Sequence, residues 1–166
     1  MSLTLRDVSV QDEPFLLAVY ASTREQEMAL VPWTDEQREA FVKMQFAAQH
    51  SHYHERYPNA DYKLIMRDGV PVGRLYIHRS EAIINILDIT ILPKFRNAGI
   101  GTALLKEIID EATASNWATQ IYVENFNPSR RLFERLGFSK VGEDGFNLLL
   151  EWRPLNFRTF ESSPMV

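Results

Sequence analysis

The segment Arg96-Asn97-Ala98-Gly99-Ile100-Gly101-Thr102 gathers a guanidinium, two glycines and a hydroxyl into seven residues. An apolar, β-branched run, Ile89-Thr90-Ile91-Leu92-Pro93, precedes it, and Ile100, Leu104, Ile108 and Ala112 repeat at helical spacing after it. That order reads as strand, tight turn, helix. Glycines let such a turn take positive φ and let backbone N–H groups approach a ligand closely. At a helix start those N–H groups lack intrahelical partners and carry the positive end of the dipole, which suits them to phosphate. A plain helix start also uses glycines, and two phosphate motifs do not fit. A dinucleotide fingerprint needs glycine where Leu104 stands, and a P-loop needs Lys-Ser/Thr where Thr102-Ala103 follows Gly101.

The rest of the chain supplies elements to position that loop. Leu3, Leu5 and Val8 suggest a first strand, and Ser9–Asp12 with Pro14 opens a helix from about Gln11 to Glu27. Val31-Pro32-Trp33 interrupts it. Thr34 and Gln37 form a capping box for a second helix running past Phe41, Met44 and Ala48 towards His54, ended by Pro58-Asn59. The period then becomes two: Tyr62–Arg67 and Val70–Arg79 flank Asp68-Gly69, a hairpin signal, and a third strand covers about Ala82–Leu92. After the helix to about Ser115, Ile121–Val123 reads as a buried strand. Asn127, followed by Pro128, is an expected N-cap of a short helix that ends at Gly137. Ser139–Glu143 and Phe146–Trp152 make a last hairpin across Asp144-Gly145. The fold class is mixed α/β (α+β), one sheet covered by helices. A single domain over 1–153 is expected, with a tail over 154–166 in which Phe157 and Phe160 could dock.

Composition narrows the classes. The 166 residues carry 18 Lys+Arg and 22 Asp+Glu, a formal charge of −4, and no cysteine. Disulfide scaffolds, thiol nucleophiles and Cys-ligated metal centres are excluded. A mildly acidic chain is a poor nucleic-acid binder by bulk charge and leans slightly towards cationic partners. No apolar run approaches the ~18–20 residues of a membrane span, and Met1–Val10 alternates. The expectation is a soluble, cytoplasmic protein without nucleic-acid or membrane partners. His50, His52 and His54 with Glu55 share a helix end, but no His-Glu-x-x-His occurs, so no metal is expected there.

Arg96-x-x-Gly99-x-Gly101 after the Ile-Thr-Ile-Leu-Pro strand resembles the acyl-coenzyme A loop of the GNAT superfamily of N-acetyltransferases. Asn127-Pro-Ser-Arg-Arg-Leu-Phe133-Glu-Arg-Leu-Gly137-Phe138 is similar to that family's late helix, in the family's order and spacing. The resemblance covers about Ile65 to Trp152. It implies a mostly antiparallel sheet of about seven strands, splayed at the cofactor site and flanked by about four helices. Residues 1–60 would supply acceptor-side helices and 61–152 the acyl-coenzyme A core.

It further implies acetyl-coenzyme A as co-substrate and a primary amine, on a small molecule or peptide, as acceptor. Pyrophosphate would sit on Arg96, Asn97, Ala98, Gly99, Ile100, Gly101 and Thr102, and the pantetheine arm would pair with main-chain groups of Ile89, Thr90 and Ile91. Asn127 would touch the pantetheine amide while capping its helix, and Phe133 would lie against the cofactor. One of Arg130, Arg131 and Arg135 could reach the 3′-phosphate. The chain departs from the family at Asn97, where glycine is usual, and at Phe133, where a tyrosine often protonates the departing thiolate. Asparagine tolerates the left-handed region. Phenylalanine donates no proton, so Tyr122, Tyr76 or water would serve, or the thiolate would leave unassisted.

Asp88 is the candidate base, with Glu124 and Glu27 as alternatives. Strand alternation puts Asp88 and Thr90 on one face and Ile89 and Ile91 on the other. A structural hydrogen-bonding role for Asp88 is the competing reading. Trp33, Gln45, Gln49 and Tyr53 are the candidate acceptor-side residues, although most of the aromatics around them would serve the core. Without cysteine the acetyl group would pass directly to the amine in a ternary complex. A non-catalytic acyl-coenzyme A-binding domain and a nucleotide-binding regulator are the alternatives, and a homodimer through the last strands or the tail is expected from family habit.

Overall fold

The computed structural model describes residues 2–157, so Phe160 and the end of the tail lie outside the described residues. Seven strands make one sheet: β1 (Leu3–Asp7), β2 (Asp61–Arg67), β3 (Val70–Ser80), β4 (Ile83–Ile91), β5 (Ala118–Glu124), β6 (Ser139–Asp144) and β7 (Asn147–Trp152). Their hydrogen-bonded order is β1-β2-β3-β4-β5-β7-β6. The β1/β2, β2/β3, β5/β7 and β6/β7 pairs are antiparallel, and β4/β5 is parallel. Five α-helices accompany them: α1 (Glu13–Ser22), α2 (Glu25–Ala29), α3 (Asp35–Arg56), α4 (Ile100–Ser115) and α5 (Arg130–Arg135). No helix of the described residues is long and apolar enough to cross a membrane.

Contacts cluster the chain into two units. The first takes the residues up to His78 together with Asp88–Ile100, and the second takes Arg79–Leu87 and the residues from Gly101 onward. The division falls within β3, within β4 and at the head of α4.

In the first unit the expected single helix over Gln11–Glu27 is two helices, which raises the helix number from about four to five. Ser22 and Thr23 cause the break. Each hydroxyl donates to a main-chain carbonyl three residues back, Val19 and Tyr20, at 2.6 Å. Such local bonds compete with the helical ladder. The Thr34–Gln37 box forms in both directions, Gln37 N to Thr34 Oγ1 at 3.2 Å and Thr34 N to Gln37 Oε1 at 3.0 Å. At the other end of α3, the Tyr62 hydroxyl lies 2.9 and 2.8 Å from the carbonyls of Tyr53 and Tyr57; Tyr53 O already accepts from Tyr57 N at 2.7 Å, so Tyr57 O is the carbonyl that gains a donor. Asp68 and Gly69 have φ of 50° and 80°, the signs a tight hairpin needs. Leu16, Val19, Phe46, Leu64, Ile65 and Leu75 form much of this unit's core.

In the second unit the parallel register spans Ile83 opposite Ala118 to Ile86 opposite Ile121. Around Tyr122, β5 alternates: Ile121 and Val123 are buried and Tyr122 is 56% exposed. The expected buried strand thus keeps Ile121 and Val123 inside and turns Tyr122 out. The last hairpin turns at Gly145-Phe146, one residue later than expected, with Asp144 paired to Asn147 and Gly145 at φ 59°. Helix α5 begins after Ser129, not Asn127, yet the Asn127 side chain still serves the entry by accepting from Ser129 N at 2.9 Å. Its exit is a Schellman motif. Phe138 N bonds Phe133 O at 3.0 Å and Gly137 N bonds Glu134 O at 3.1 Å, with Gly137 at φ 98°. The apolar contact that accompanies such motifs is the Phe133–Phe138 ring pair, edge-on with centroids 5.3 Å apart.

Candidate active site

The turn after β4 has the backbone its residues suggest. A 3-10 turn over Pro93–Phe95 leads to Arg96, whose Nε donates to Ile91 O at 2.9 Å and ties the turn back to the strand. Asn97 and Gly99 take φ of 62° and 78°, so asparagine supplies the left-handed residue that glycine would otherwise provide. Arg96 through Gly99 are exposed, apart from a half-buried Phe95 just before them, and a Cβ on Gly99 would meet nothing within 4 Å. Ile100 is buried and opens α4, which anchors the turn to the core, while Gly101 and Thr102 are half-buried in the first helical turn. An open, glycine-permitted loop here runs into a sixteen-residue helix, and a helix start of that kind suits a phosphate group.

Gln49 and Asp88 meet at a residue whose importance the sequence reading missed. Arg74, on β3, is only 2% exposed. Its Nη2 donates to Gln49 Oε1 at 2.9 Å and to Asp88 Oδ2 in an ion pair. The guanidinium carbon lies 5.0 Å from the centroid of Tyr76. Thr90 Oγ1 donates to Asp88 Oδ1 at 2.6 Å, as expected of residues sharing a strand face. Burial disfavours charge on Arg74, but Asp88 and the surrounding phenol groups outweigh it, so its pKa lies above the ordinary value. The available signal was Arg74 itself: a lone charge in the apolar stretch Val72–Ile77 must find a partner.

Gly73 lets this arrangement close. A Cβ there would lie 2.2 Å from Thr90 O, so only glycine permits β3 to approach β4 at that point. Tyr53 is half-buried on α3 and meets Tyr76 edge-on at 5.8 Å. Burial, reinforced by Asp88, pushes the Tyr53 phenol above its usual range; burial does the same for Tyr76. Gln45 Oε1 accepts from the Tyr20 hydroxyl at 3.5 Å. Trp33 is 38% exposed and packs edge-on against Phe41 at 5.2 Å. Glu27, an alternative base, is ion-paired with Arg24 at 3.2 Å. His50 and His54 have ring centroids 4.4 Å apart, and His54 stacks on Tyr62 at 4.2 Å.

In the second unit Asn127 lines a surface cavity of about 440 Å³ with Asn125, Phe126, Pro128, Arg130 and Arg131. Because Asn127 Oδ1 is held by Ser129 N, its amide NH2 is the end left for another partner. Arg130 is engaged with Glu134 and Asn125. Phe133 is 1% exposed and its ring belongs to the helix-ending pair with Phe138, so the side chain has no surface to offer a cofactor.

The profile of the acetyltransferase (GNAT) family matches residues 19–138, and the chain belongs to that family. It is an acetyl-transferring enzyme of a family that works with acetyl-coenzyme A. Among solved structures, PaiA N-acetyltransferase from Thermoplasma acidophilum, in complex with coenzyme A, has a TM-score of 0.69 at 17% identity, covering 92% of this chain and 99% of that one. An acetyltransferase from Thermus thermophilus gives 0.65 at 18% identity, covering 92% and 97%. The ribosomal-protein-S18-alanine N-acetyltransferase from Escherichia coli gives 0.57 at 17% identity, covering 97% and 98%. These likenesses carry the fold. No curated protein sequence matches.

Proposed function

We propose that the chain transfers an acetyl group from acetyl-coenzyme A to a primary amine, directly within a ternary complex. The observation that carries this reading is the pair of left-handed residues, Asn97 and Gly99, in an exposed turn that feeds α4. Their backbone frees the N–H groups of the helix entry for pyrophosphate. When bound, acetyl-coenzyme A supplies an activated thioester. Main-chain groups of Ile89–Ile91 align the pantetheine arm as an added strand, and one N–H there holds the thioester oxygen as charge develops. In the second unit the Asn127 NH2 is the amide donor left open to a ligand, while Phe133 acts only through packing.

Asp88 receives the acceptor amine. Each of its oxygens already accepts one hydrogen bond, from Thr90 or Arg74, and each keeps lone-pair capacity for an N–H. The carboxylate thus aims at the amine and holds the proton the nitrogen gives up. Tyr122, whose hydroxyl is exposed on β5, is the second unit's candidate proton donor. The zero cysteine count supports direct attack, since no thiol is available to carry the acetyl group. A cytoplasmic setting goes with this reading.

Calorimetric titration with coenzyme A tests the loop. Wild type binds, and Gly99→Val, which puts a β-branched side chain at φ 78°, weakens binding by at least about tenfold. Equal affinity in both proteins would remove the loop from the account.

A further inference from the structure

The two acceptor-side glutamines have fixed polarity, and that polarity describes the amine they would accept. Gln45 and Gln49 stand one turn apart on α3, so they share a face. A guanidinium can only donate, so the Gln49 amide must turn its oxygen to Arg74. Its Nε2 then points elsewhere. That nitrogen has no protein partner among the described residues, nor is it a buried orphan, so solvent reaches it. At Gln45 the Tyr20 hydroxyl, which accepts from Arg24 Nε at 3.2 Å, donates to Oε1 at 3.5 Å, and the Gln45 NH2 has no partner among the described residues. Both amides therefore present donors.

Asp88 presents the opposite chemistry a short distance away. Gln49 Oε1 and Asp88 Oδ2 share one nitrogen of Arg74, so the amide and the carboxylate lie no more than two hydrogen-bond lengths apart. Asp88 keeps 15% of its side chain exposed, whereas Arg74 is sealed at 2% and cannot touch a ligand itself. Arg74 is thus a positioning residue that fixes an acceptor beside a donor. Resting on the acetyl-transfer reading above, we infer that the acceptor is an amine with a carbonyl oxygen on the neighbouring carbon, the chemistry shared by α-amino acids and peptide amino termini. The amine nitrogen meets Asp88, and the carbonyl oxygen meets the Gln49 NH2, with Gln45 one turn further along. A simple alkylamine or polyamine satisfies Asp88 alone and leaves the amide donors without a partner.

The test compares alanine, alaninamide and isopropylamine, three amines on one carbon skeleton, by release of free thiol from acetyl-coenzyme A. Rates are expressed per unprotonated amine. In the wild type, kcat/KM for alanine or alaninamide exceeds that for isopropylamine by at least about tenfold, and in Gln49→Met the ratio falls to within about twofold. Gln49→Glu, which keeps an oxygen for Arg74 but removes the donor, collapses the ratio in the same way and guards against a folding defect in the first variant. Preference for alanine assigns free amino acids; preference for alaninamide assigns peptide amino termini. Thiol release with a wild-type ratio near one overturns this inference alone, as does a ratio that survives both substitutions. Absence of thiol release with every amine overturns the acetyl-transfer reading on which it rests.

Discussion

Arg74 and Asp88 form an ion pair in which the cation is 2% exposed and the carboxylate 15%, and that difference assigns their parts. The guanidinium is fixed structure, and the carboxylate is the edge that reaches a ligand. The pair also explains why an arginine can sit inside an apolar strand, since Gln49, Asp88 and the Tyr76 ring all face it.

Arg74→Met leaves Asp88 partly buried without its cation. The expected loss is about 3 kcal/mol of stability in urea unfolding. Arg74→Met with Asp88→Asn recovers part of it, giving a double-mutant coupling of about 1–3 kcal/mol. Coupling near zero would mean that the pair is independent of the fold.

Gly73→Ala drives a methyl group to 2.2 Å from Thr90 O, a main-chain atom with nowhere to retreat. The strands must separate, at a cost of about 1–3 kcal/mol. Because Thr90 also orients Asp88 and the Ile89–Ile91 backbone would hold the pantetheine arm, both kcat and coenzyme A affinity of Gly73→Ala should fall. Unchanged melting and kinetics would refute the close approach.

Two glycines with positive φ should respond differently to alanine. At Gly145 the new Cβ meets open space, and the cost is that of a left-handed residue, about 1 kcal/mol. At Gly137, φ is 98° and the Cβ would press on the Trp152 indole at 3.2 Å, so the expected loss is about 2 kcal/mol or more. Reversal of this order in chemical denaturation would contradict the Schellman ending of α5.

Asp12 carries the acid-limb prediction. Its carboxylate accepts from Arg6 at 2.9 and 3.1 Å and from Ser9 N at 2.8 Å, which lowers its pKa to about 2. The folded value lies below the unfolded one, so the folded state gains stability above about pH 4 and loses it as pH falls towards 2. Asp12→Asn should melt lower than wild type at neutral pH, and the gap should close by about pH 2. A gap that persists at low pH would exclude the charge as its cause.

What the sequence made legible was local. Thr34 and Gln37 cap each other three residues apart, Asp68-Gly69 carries its own turn, and Asn97 tolerates the conformation its neighbours require. The loop before α4 was readable for the same reason, being one continuous segment. The divided first helix was missed because the Ser22 and Thr23 hydroxyls compete with a ladder that the apolar pattern alone supports. The last turn shifted by one residue because pairing along β6 and β7, with its irregularity at Lys140/Gly142, sets the register. Arg74 escaped notice because its partners come from positions 49 and 88, and no local pattern reports contacts so distant along the chain. The buried ring of Phe133 follows from Phe138, five residues on, through a backbone motif that the glycine signalled without naming its apolar pair.

The most direct measurement is the release of free thiol from acetyl-coenzyme A by wild type and Gly99→Val, with and without an amine acceptor. The account predicts amine-dependent release by the wild type, reduced at least about tenfold at subsaturating acetyl-coenzyme A in the variant, which still unfolds cooperatively after a loss of about 1–2 kcal/mol for its left-handed valine. Thiol release that ignores the amine, or equal rates in the two proteins, would contradict it.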